Sequence, residues 1–588
     1  MRAFKRPGLV AGLIAMVLGA ALGQSDGGPK FEIADIHASA AGPAGQNQFM
    51  RGGFYRGGRY EVRTATMVDL IRTAYGLDAD DKVAGGPGWL GKDQFDVIAK
   101  APADATAETL RLMLRNLLAD RFSLVVHNDT RPLAAYVLTP GKKVQLKPGD
   151  GSGETGCKLQ PQPDPPPGPG NGPVAMIGIN GNVFRFGAGS YIVYQCRNVS
   201  MAEFGDAIRS WFFNGLTNNR VFDQTELKGT WNFDLRYSPK LPGLMLAAVA
   251  GSDSVTLFEA IDKQLGLKLE LTKVPMPVIA ADSVNEKPTD NAPGVTENMP
   301  VAPTEFEVAD IKPSAPMEPG QGFGRGGCFF CPGGRVNLTN ETMADMISLA
   351  WNLNGNSRNR IIGLPKSMET VNWDIIAKAS TMAPLNAPPN GETPAQQVDF
   401  DSMRVMLQAL LKDRFKLGLH EEKRPLPGYA LVAVKPKLKR ADPSNRTSCN
   451  EGPGPDGKDP RTTNPAAGRL FTCLNMTMAQ FAEQIPNRAG GYFQELPGGV
   501  VDATKLDGEY DITLNFSMAG MVGGGGRGGG GDAASGGAGA GASVASDPGG
   551  AMSLQEAIEK QLGLKLEPQK NLGTVLVIDH VEDKPTDN

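Results

Sequence analysis

An α+β fold, built twice in tandem, is what this sequence of 588 residues predicts. Three observations lead there. Long phrases recur: "FEIADI" at Phe31 returns as "FEVADI" at Phe306, "RLMLRNLLADRFSLVVH" from Arg111 as "RVMLQALLKDRFKLGLH" from Arg404, and "EAIDKQLGLKLE" from Glu259 as "EAIEKQLGLKLE" from Glu556. Within each copy, segments with apolar residues at helical spacing alternate with strand-like runs, the pattern of helices on small antiparallel or mixed sheets. Gly (74) and Pro (45) make up about a fifth of the chain, an excess that predicts long irregular segments between those elements.

The phrase "KPTDN" closes both repeats, at Lys287–Asn291 and at Lys584–Asn588. It sets the boundaries: a first copy over 30–291, a Pro-containing linker over 292–303 and a second copy over 304–588. Ahead of them, Arg2, Lys5 and Arg6 precede an apolar run from Gly8 to Leu22 and small residues at Ala21 and Gly23. That is the pattern of a signal peptide over 1–23, with a retained membrane anchor as the other reading. An exported protein, periplasmic or extracellular and without stable membrane insertion after cleavage, is expected. A net charge of −4 offers no basic footprint for nucleic acid.

Each copy reads as about four units of one helix followed by extended segments. In the first unit Thr66 caps a helix that Gly76 ends, and "FDVIAKA" follows as a strand. In the second, Leu110, Met113, Leu114, Leu117 and Leu118 share one face of a helix. "SLVVHNDTRPLAAYVLTP" then reads as two strands around a turn. The third unit runs from "NVSMAEFGDAI" to "GTWNFDLRY", and Gly229, like Gly508 in copy two, suits a tight turn into a strand. The fourth, "SVTLFEAIDKQLGLKLE", leads to "PVIAADSV" in copy one and "VLVIDHV" in copy two. Pro275 and Pro277 interrupt that last strand of copy one, so copy two is expected to be the better preserved binder. Trp89 and Trp231 read as core or edge aromatics, with Met368 and Tyr510 near the matching positions.

Low-complexity insertions separate these units: "PQPDPPPGPGNGP", "EGPGPDGKDPRTTNPAAG" and the Gly/Ala tract over 519–550. Such compositions make disordered connectors, because they offer too little apolar surface to bury. Cys157 and Cys196 flank the first insertion, and Cys449 and Cys473 the second. Their equivalent placement in an exported chain predicts the disulfides Cys157–Cys196 and Cys449–Cys473. Cys328 and Cys331 form "CFFC" in a Gly-rich loop of copy two only. A local loop-tightening disulfide is the favoured reading, ahead of redox chemistry or a metal site.

The polar residues that recur are His127 and His420, Arg131 and Arg424, and Asp120 and Asp413, the last pair each followed by arginine, Arg121 and Arg414. The histidines are either bases or ligands, or strand histidines paired to a carboxylate such as Asp129 or Glu421; the second reading is preferred, since no nucleophile context accompanies them. The Asp and Arg residues read as ion pairs and helix caps, with carboxylate recognition by Arg131 and Arg424 as the sharper alternative. No H-E-x-x-H, G-x-S-x-G or G-K-[ST] motif occurs. "GFGRGG" at Gly322 leads into a strand, not a helix, and carries no dinucleotide signal. No catalytic residue, metal or cofactor is expected.

The order "FEVADIKPSAP", "TMADMISLAW", "MLQALLKDRFKLGLH", "RPLPGYALV", "VVDATKLDGEYDITLNF", "EAIEKQLGLKLE" and "VLVIDHVEDKPTDN" resembles an uncharacterised secreted acidobacterial family of Solibacter type, known only as a domain of unknown function. The resemblance covers nearly all of both copies and implies no activity. Relatives joined to membrane metallopeptidase sensors suggest an extracytoplasmic sensor module, but the peptidase motif is missing from this chain. "MSLQEAIEKQLGLKLE" with "VLVIDHV" also resembles the short helix-and-strand module at the N-termini of secretins and TonB-dependent receptors. That likeness implies pairing with another envelope protein. A non-enzymatic binding or interaction protein, contacting its partner by strand addition, is the leading expectation; an envelope hydrolase using a repeated histidine is the alternative.

Overall fold

The computed structural model describes residues 28–40, 50–77, 82–160, 175–179, 182–186, 191–211, 220–238, 255–315, 330–353, 357–381, 383–384, 398–442, 446–452, 469–493, 496–516 and 552–586. The signal segment, most of the low-complexity insertions and Cys328 lie outside these residues.

Each copy is two lobes strung on one long β-ribbon. In copy one the first lobe comprises β1 (Ile33–Ala38), β2 (Arg51–Arg56), β3 (Arg59–Thr66), α1 (Met67–Tyr75), β4 (Lys82–Gly85), β5 (Gln94–Lys100) and α2 (Ala107–Phe122), leading into β6 (Val125–Pro140). The second comprises β7 (Lys147–Pro148), β8 (Gly156–Leu159), β9 (Ala175–Ile179), β10 (Asn182–Phe186), β11 (Ile192–Val199), α3 (Met201–Ser210), β12 (Val221–Asp223), β13 (Trp231–Tyr237), α4 (Leu257–Ala260) and β14 (Leu267–Ser283). Copy two repeats them as β15 (Val308–Pro313), β16 (Phe330–Cys331), β17 (Arg335–Thr342), α5 (Met343–Ala350), β18 (Ile361–Ile362), α6 (Lys366–Thr370), β19 (Asn372–Lys378), β20 (Ala383–Pro384), α7 (Phe400–Arg414) and β21 (Gly418–Ala433). Then come β22 (Lys439–Arg440), β23 (Ser448–Glu451), β24 (Arg469–Thr477), α8 (Met478–Arg488), β25 (Val500–Asp502), β26 (Glu509–Phe516), α9 (Leu554–Ala557) and β27 (Leu564–His580). The α+β class and the duplication are as the sequence predicts.

Among the described residues four helices of each copy are capped by a side chain, and these pair up, two to a lobe. Both lobes follow one order: strand, capped helix, short strand, strand, helix, long strand. In copy one these are β3-α1-β4-β5-α2-β6 and β11-α3-β12-β13-α4-β14. β6 and β14 pair antiparallel along their full length, roughly 50 Å at about 3.3 Å per residue. β4 adds in parallel to the end of β14, and β12 to the end of β6. The halves of a copy are thus related as its two ends.

A shared device enters each lobe. Thr64, Asn198, Asn340 and Asn475 hold positive φ (49°, 49°, 60° and 52°) at a bulge two residues before a helix cap. Such a backbone is disfavoured for all but Gly and, to a lesser degree, Asn, and worst for β-branched Thr64. A side-chain oxygen from the neighbouring strand takes the bulged amide each time: Asp96 at 2.8 Å, Asn232 at 2.7 Å, Asp374 at 2.9 Å and Asp511 at 3.1 Å. Thr66, Ser200, Thr342 and Thr477 then cap the helix in reciprocal capping boxes with Asp69, Glu203, Asp345 and Gln480. The next residue, Met67, Met201, Met343 or Met478, is buried.

The cores sit between these helices and the sheets. Leu70, Ile71, Leu114 and Leu118 pack against Val97 in the first lobe, and Phe204, Ile208 and Leu265 against Leu235 in the second. Leu110 and Met113 join the first, with Leu117 half-buried at its margin. Trp89 and Trp231 are half-buried against these cores, while Met368 and Tyr510 are buried. Gly229 and Gly508, at φ 90° and 85°, make the turns before β13 and β26.

Two expectations are corrected. "SLVVHNDTRPLAAYVLTP" holds no turn: β6 runs unbroken through Asp129–Pro132. Nor do Pro275 and Pro277 interrupt β14, where they face Pro132 and Thr130. Two facing prolines exchange no hydrogen bonds, so they occupy a non-bonded pair, and the next such pair lies two residues on. Among the described residues the ribbon is two-stranded there, and the missing amides are ones that would point away from the partner strand. Copy two likewise carries Pro425 and Pro427 in its ribbon, facing Leu572 and Lys570, and there Gly498 N–H donates to the Pro427 carbonyl at 2.8 Å. The prolines therefore give no reason to rank copy two above copy one.

Candidate functional site

The recurring polar residues separate into a clasp and a ribbon face. The clasp explains why "KPTDN" ends both copies. After β14 the chain returns to the end of α2, where Thr289 N–H donates to the Arg121 carbonyl at 2.9 Å. The Arg121 guanidinium donates to Thr289 Oγ1 at 2.9 Å and to Asn291 Oδ1 at 2.7 Å. The Asn291 amide in turn accepts from Ile36 N–H at 3.0 Å and donates to the Ile36 carbonyl at 3.2 Å. One side chain so stands in for a neighbouring strand along the edge of β1. Burial lowers the pKa of Arg121, and Asp35 and Asp290 oppose it. In copy two Thr586 N–H meets the Arg414 carbonyl at 2.8 Å; Asn588 lies outside the described residues. Asp120 pairs with Lys30 at 2.9 Å, and Asp413 lies 3.4 Å from Arg414 and 3.7 Å from Lys416.

The histidines stand on the ribbon. His127 Nδ1 lies 2.8 Å from Asp282 Oδ2, and His420 Nδ1 3.0 Å from Asp579 Oδ1. Both pairs are about half exposed. The partner comes from across the ribbon, not from Asp129 or Glu421 as the sequence suggested. A cross-strand neighbour is invisible until the register is known, and β14 delivers Asp282 diagonally to His127. Arg131 pairs with Asp129 at 2.8 Å and Arg424 with Glu422 at 2.6 Å, each two residues apart on one strand face. These contacts lower the pKa of both carboxylates, first through the hydrogen bond from the arginine. Among the described residues no group of three or more His, Cys, Asp or Glu side chains is placed to hold a metal ion.

The disulfides lie elsewhere. Cys157–Cys196 joins β8 to β11 and Cys449–Cys473 joins β23 to β24, each between directly facing residues. Cys331 is also disulfide-bonded. The staples fix β8 and β23, the outermost strands of their sheets among the described residues. In copy two Arg488 donates to the Cys449 carbonyl on that edge. In copy one the matching helix end is followed by Trp211, stacked on Tyr194 at 3.9 Å between ring centres.

A seam between the copies was not foreseen. β20 of copy two adds antiparallel to β2 of copy one, making a five-stranded sheet. Beside it Arg51 meets Asp401 at 2.6 Å, and Arg404 meets the same carboxylate at 3.1 Å. Burial raises the pKa of Asp401 against the pull of these arginines. Further along, the Arg446 guanidinium reaches the free edge of β4, donating to the Val83 carbonyl and, at 2.5 Å, to that of Gly85. Glu154 stands at the position of copy one that matches Arg446, so recurrence gives no sign of this contact.

The family model described as "Protein of unknown function (DUF3738)" matches residues 68–284 and again 344–581. The chain belongs to this family. It carries two tandem DUF3738 domains, each match starting within the first capped helix and reaching the final ribbon strand. Nothing among curated proteins or solved structures matches the chain.

Proposed function

We propose that this DUF3738 protein is an exported, non-enzymatic binding protein of the bacterial envelope, secreted by an acidobacterium, that holds an extended segment of another envelope protein. The observation that carries the reading is the addition of β20 to β2: a sheet edge of this fold already takes up a strand from outside its own domain. Two cross-strand disulfides suit an oxidising compartment. Among the described residues no helix is long and apolar enough to cross a membrane. The histidines, each on an open strand face against a single aspartate, lend no support to a hydrolase.

The edge we assign to the partner is β8 of copy one, rigidified by its disulfide and without the arginine that reaches its counterpart in copy two. Gln160 N–H donates to the Val193 carbonyl, so bonded pairs fall at even positions and the amides of Cys157 and Leu159 face outward. Leu159→Pro removes an outward donor and leaves the ladder to β11 intact. Mature wild-type protein from Gln24 onward, with its disulfides, is expected to retain one stoichiometric envelope protein from an extract. The Leu159→Pro variant is expected to lose it. Equal retention by both proteins would refute the edge assignment.

A further inference from the structure

Among the described residues the seam at β4 has an unused counterpart, and the two differ at the residues that matter. In the used contact, Arg446 and Thr447 of copy two form a knob. It enters a slot in copy one made by the edge carbonyls of Val83 and Gly85 and by Gly91. The approach at Gly91 is close: a Cβ there would stand 2.8 Å from the Thr447 carbonyl oxygen, inside the distance real Cβ atoms keep. The slot therefore needs glycine and the knob needs a donor that can satisfy two carbonyls at once, which a guanidinium does.

Both halves of this contact exist a second time. Three residues before Cys449 stands Arg446, and three residues before Cys157 stands Glu154. Six residues after Gly85 stands Gly91, and six after Gly363, on the matching edge beyond β18, stands Glu369. β18 pairs with β27 as β4 pairs with β14, so the Ile361 and Gly363 carbonyls match those of Val83 and Gly85. For another chain to extend the array head to tail, its copy-one knob would have to enter the copy-two slot. That brings Glu154 against edge carbonyls and against Glu369. An acceptor replaces the donor, two like charges face each other, and a side chain fills the space that glycine leaves open.

We propose that Arg446 and Gly91 form a matched knob and slot that locks copy two onto copy one, and that Glu154 and Glu369 close the remaining knob and slot against a further copy. A heterologous contact of this kind repeats without limit unless something stops it. In this chain the stop is written at two positions, one in the knob and one in the slot, where the copies differ.

The test uses the full-length chain with a protease site inserted after Val301, which is 88% exposed in the linker. After folding and cutting, the wild-type halves are expected to sediment together. Arg446→Glu is expected to weaken their association at least ~tenfold, as loss of one partner from a desolvated polar contact does. Glu154→Gln, at the unused knob, is expected to leave it unchanged. Circular dichroism and thiol titration show whether each variant is folded with its disulfides formed. Separation of the wild-type halves, or equal association of a folded Arg446→Glu variant, would overturn the lock. The stop is tested in the uncut protein: wild type is expected to sediment as a monomer, and Glu154→Arg with Glu369→Gly to form concentration-dependent oligomers. A wild-type chain that oligomerises, or a double variant that stays monomeric, would overturn the stop.

Discussion

The clasp and the ribbon histidines are repeated equally well, yet they are different kinds of feature. At the clasp, Arg121 holds Thr289 and Asn291, and Asn291 completes the edge of β1 by bonding both polar groups of Ile36. On the ribbon, His127 and Asp282 touch only each other in the contact described, with side chains 41% and 45% exposed. Recurrence alone put them on one footing. It reports that the copies share an ancestor and says little about what each residue does. The number of groups stranded by a deletion, and their access to water, separates them.

The largest effect is expected at the clasp. Arg121→Ala removes the donors to Thr289 and Asn291 and unpins the amide that covers β1. A loss of about 2 kcal/mol follows from that many polar contacts in a half-buried site. For a cooperative unit of this size it corresponds to a fall in Tm of roughly 4–8 °C. Thermal unfolding followed by circular dichroism measures it. A fall below about 1 °C would place the clasp with the ribbon pairs and remove the contrast.

The periodic signals carried the fold well. About four helix units per copy, the Thr66 cap, the apolar face of the second helix and the duplication were legible because caps and periods are local. Legibility failed at the ribbon, where "HNDTRPLAAY" looks like a turn in isolation. There the ladder from β14 overrides the local preference, and the prolines fall on alternate, non-bonded positions that no single-strand pattern discloses. The pairing of lobes about the ribbon depends equally on register. Asp96, Asn232, Asp374 and Asp511, the residues that hold the bulged amides, escaped notice because their partners lie about 30 residues away in sequence. The seam was hidden for the opposite reason: Arg446 and Gly91 matter because their counterparts are glutamates.

A smaller effect is expected on acidification. The Ser200 and Thr256 amides donate to Glu203 and Glu259 in their capping boxes, and this lowers the pKa of both carboxyls. A carboxyl lowered on folding favours the folded state above its unfolded pKa, about 4.3 for glutamate, and that benefit is lost as pH falls through the folded value. The second lobe of copy one should therefore soften below about pH 4.5. Glu203→Gln keeps a capping side chain but cannot titrate, so its melting temperature should fall less steeply over the same range. Parallel curves for variant and wild type would show that the capping carboxylate does not contribute to the acid response.

The smallest effect is expected at the histidines. His127→Ala removes an ion pair open to water on both sides, and Asp282 stays solvated after the loss. Exposed pairs of this kind contribute roughly 0–1 kcal/mol, so a change under about 0.5 kcal/mol is expected, within 2 °C in Tm. His420→Ala should behave alike, since His420 faces Asp579 at the same place in its ribbon and is no more buried. Partner retention should also be untouched, because β8 and the histidines belong to different sheets. If His127→Ala instead abolishes retention while leaving Tm unchanged, the ribbon face is the binding surface, and the recurrence of the histidines has a functional cause after all.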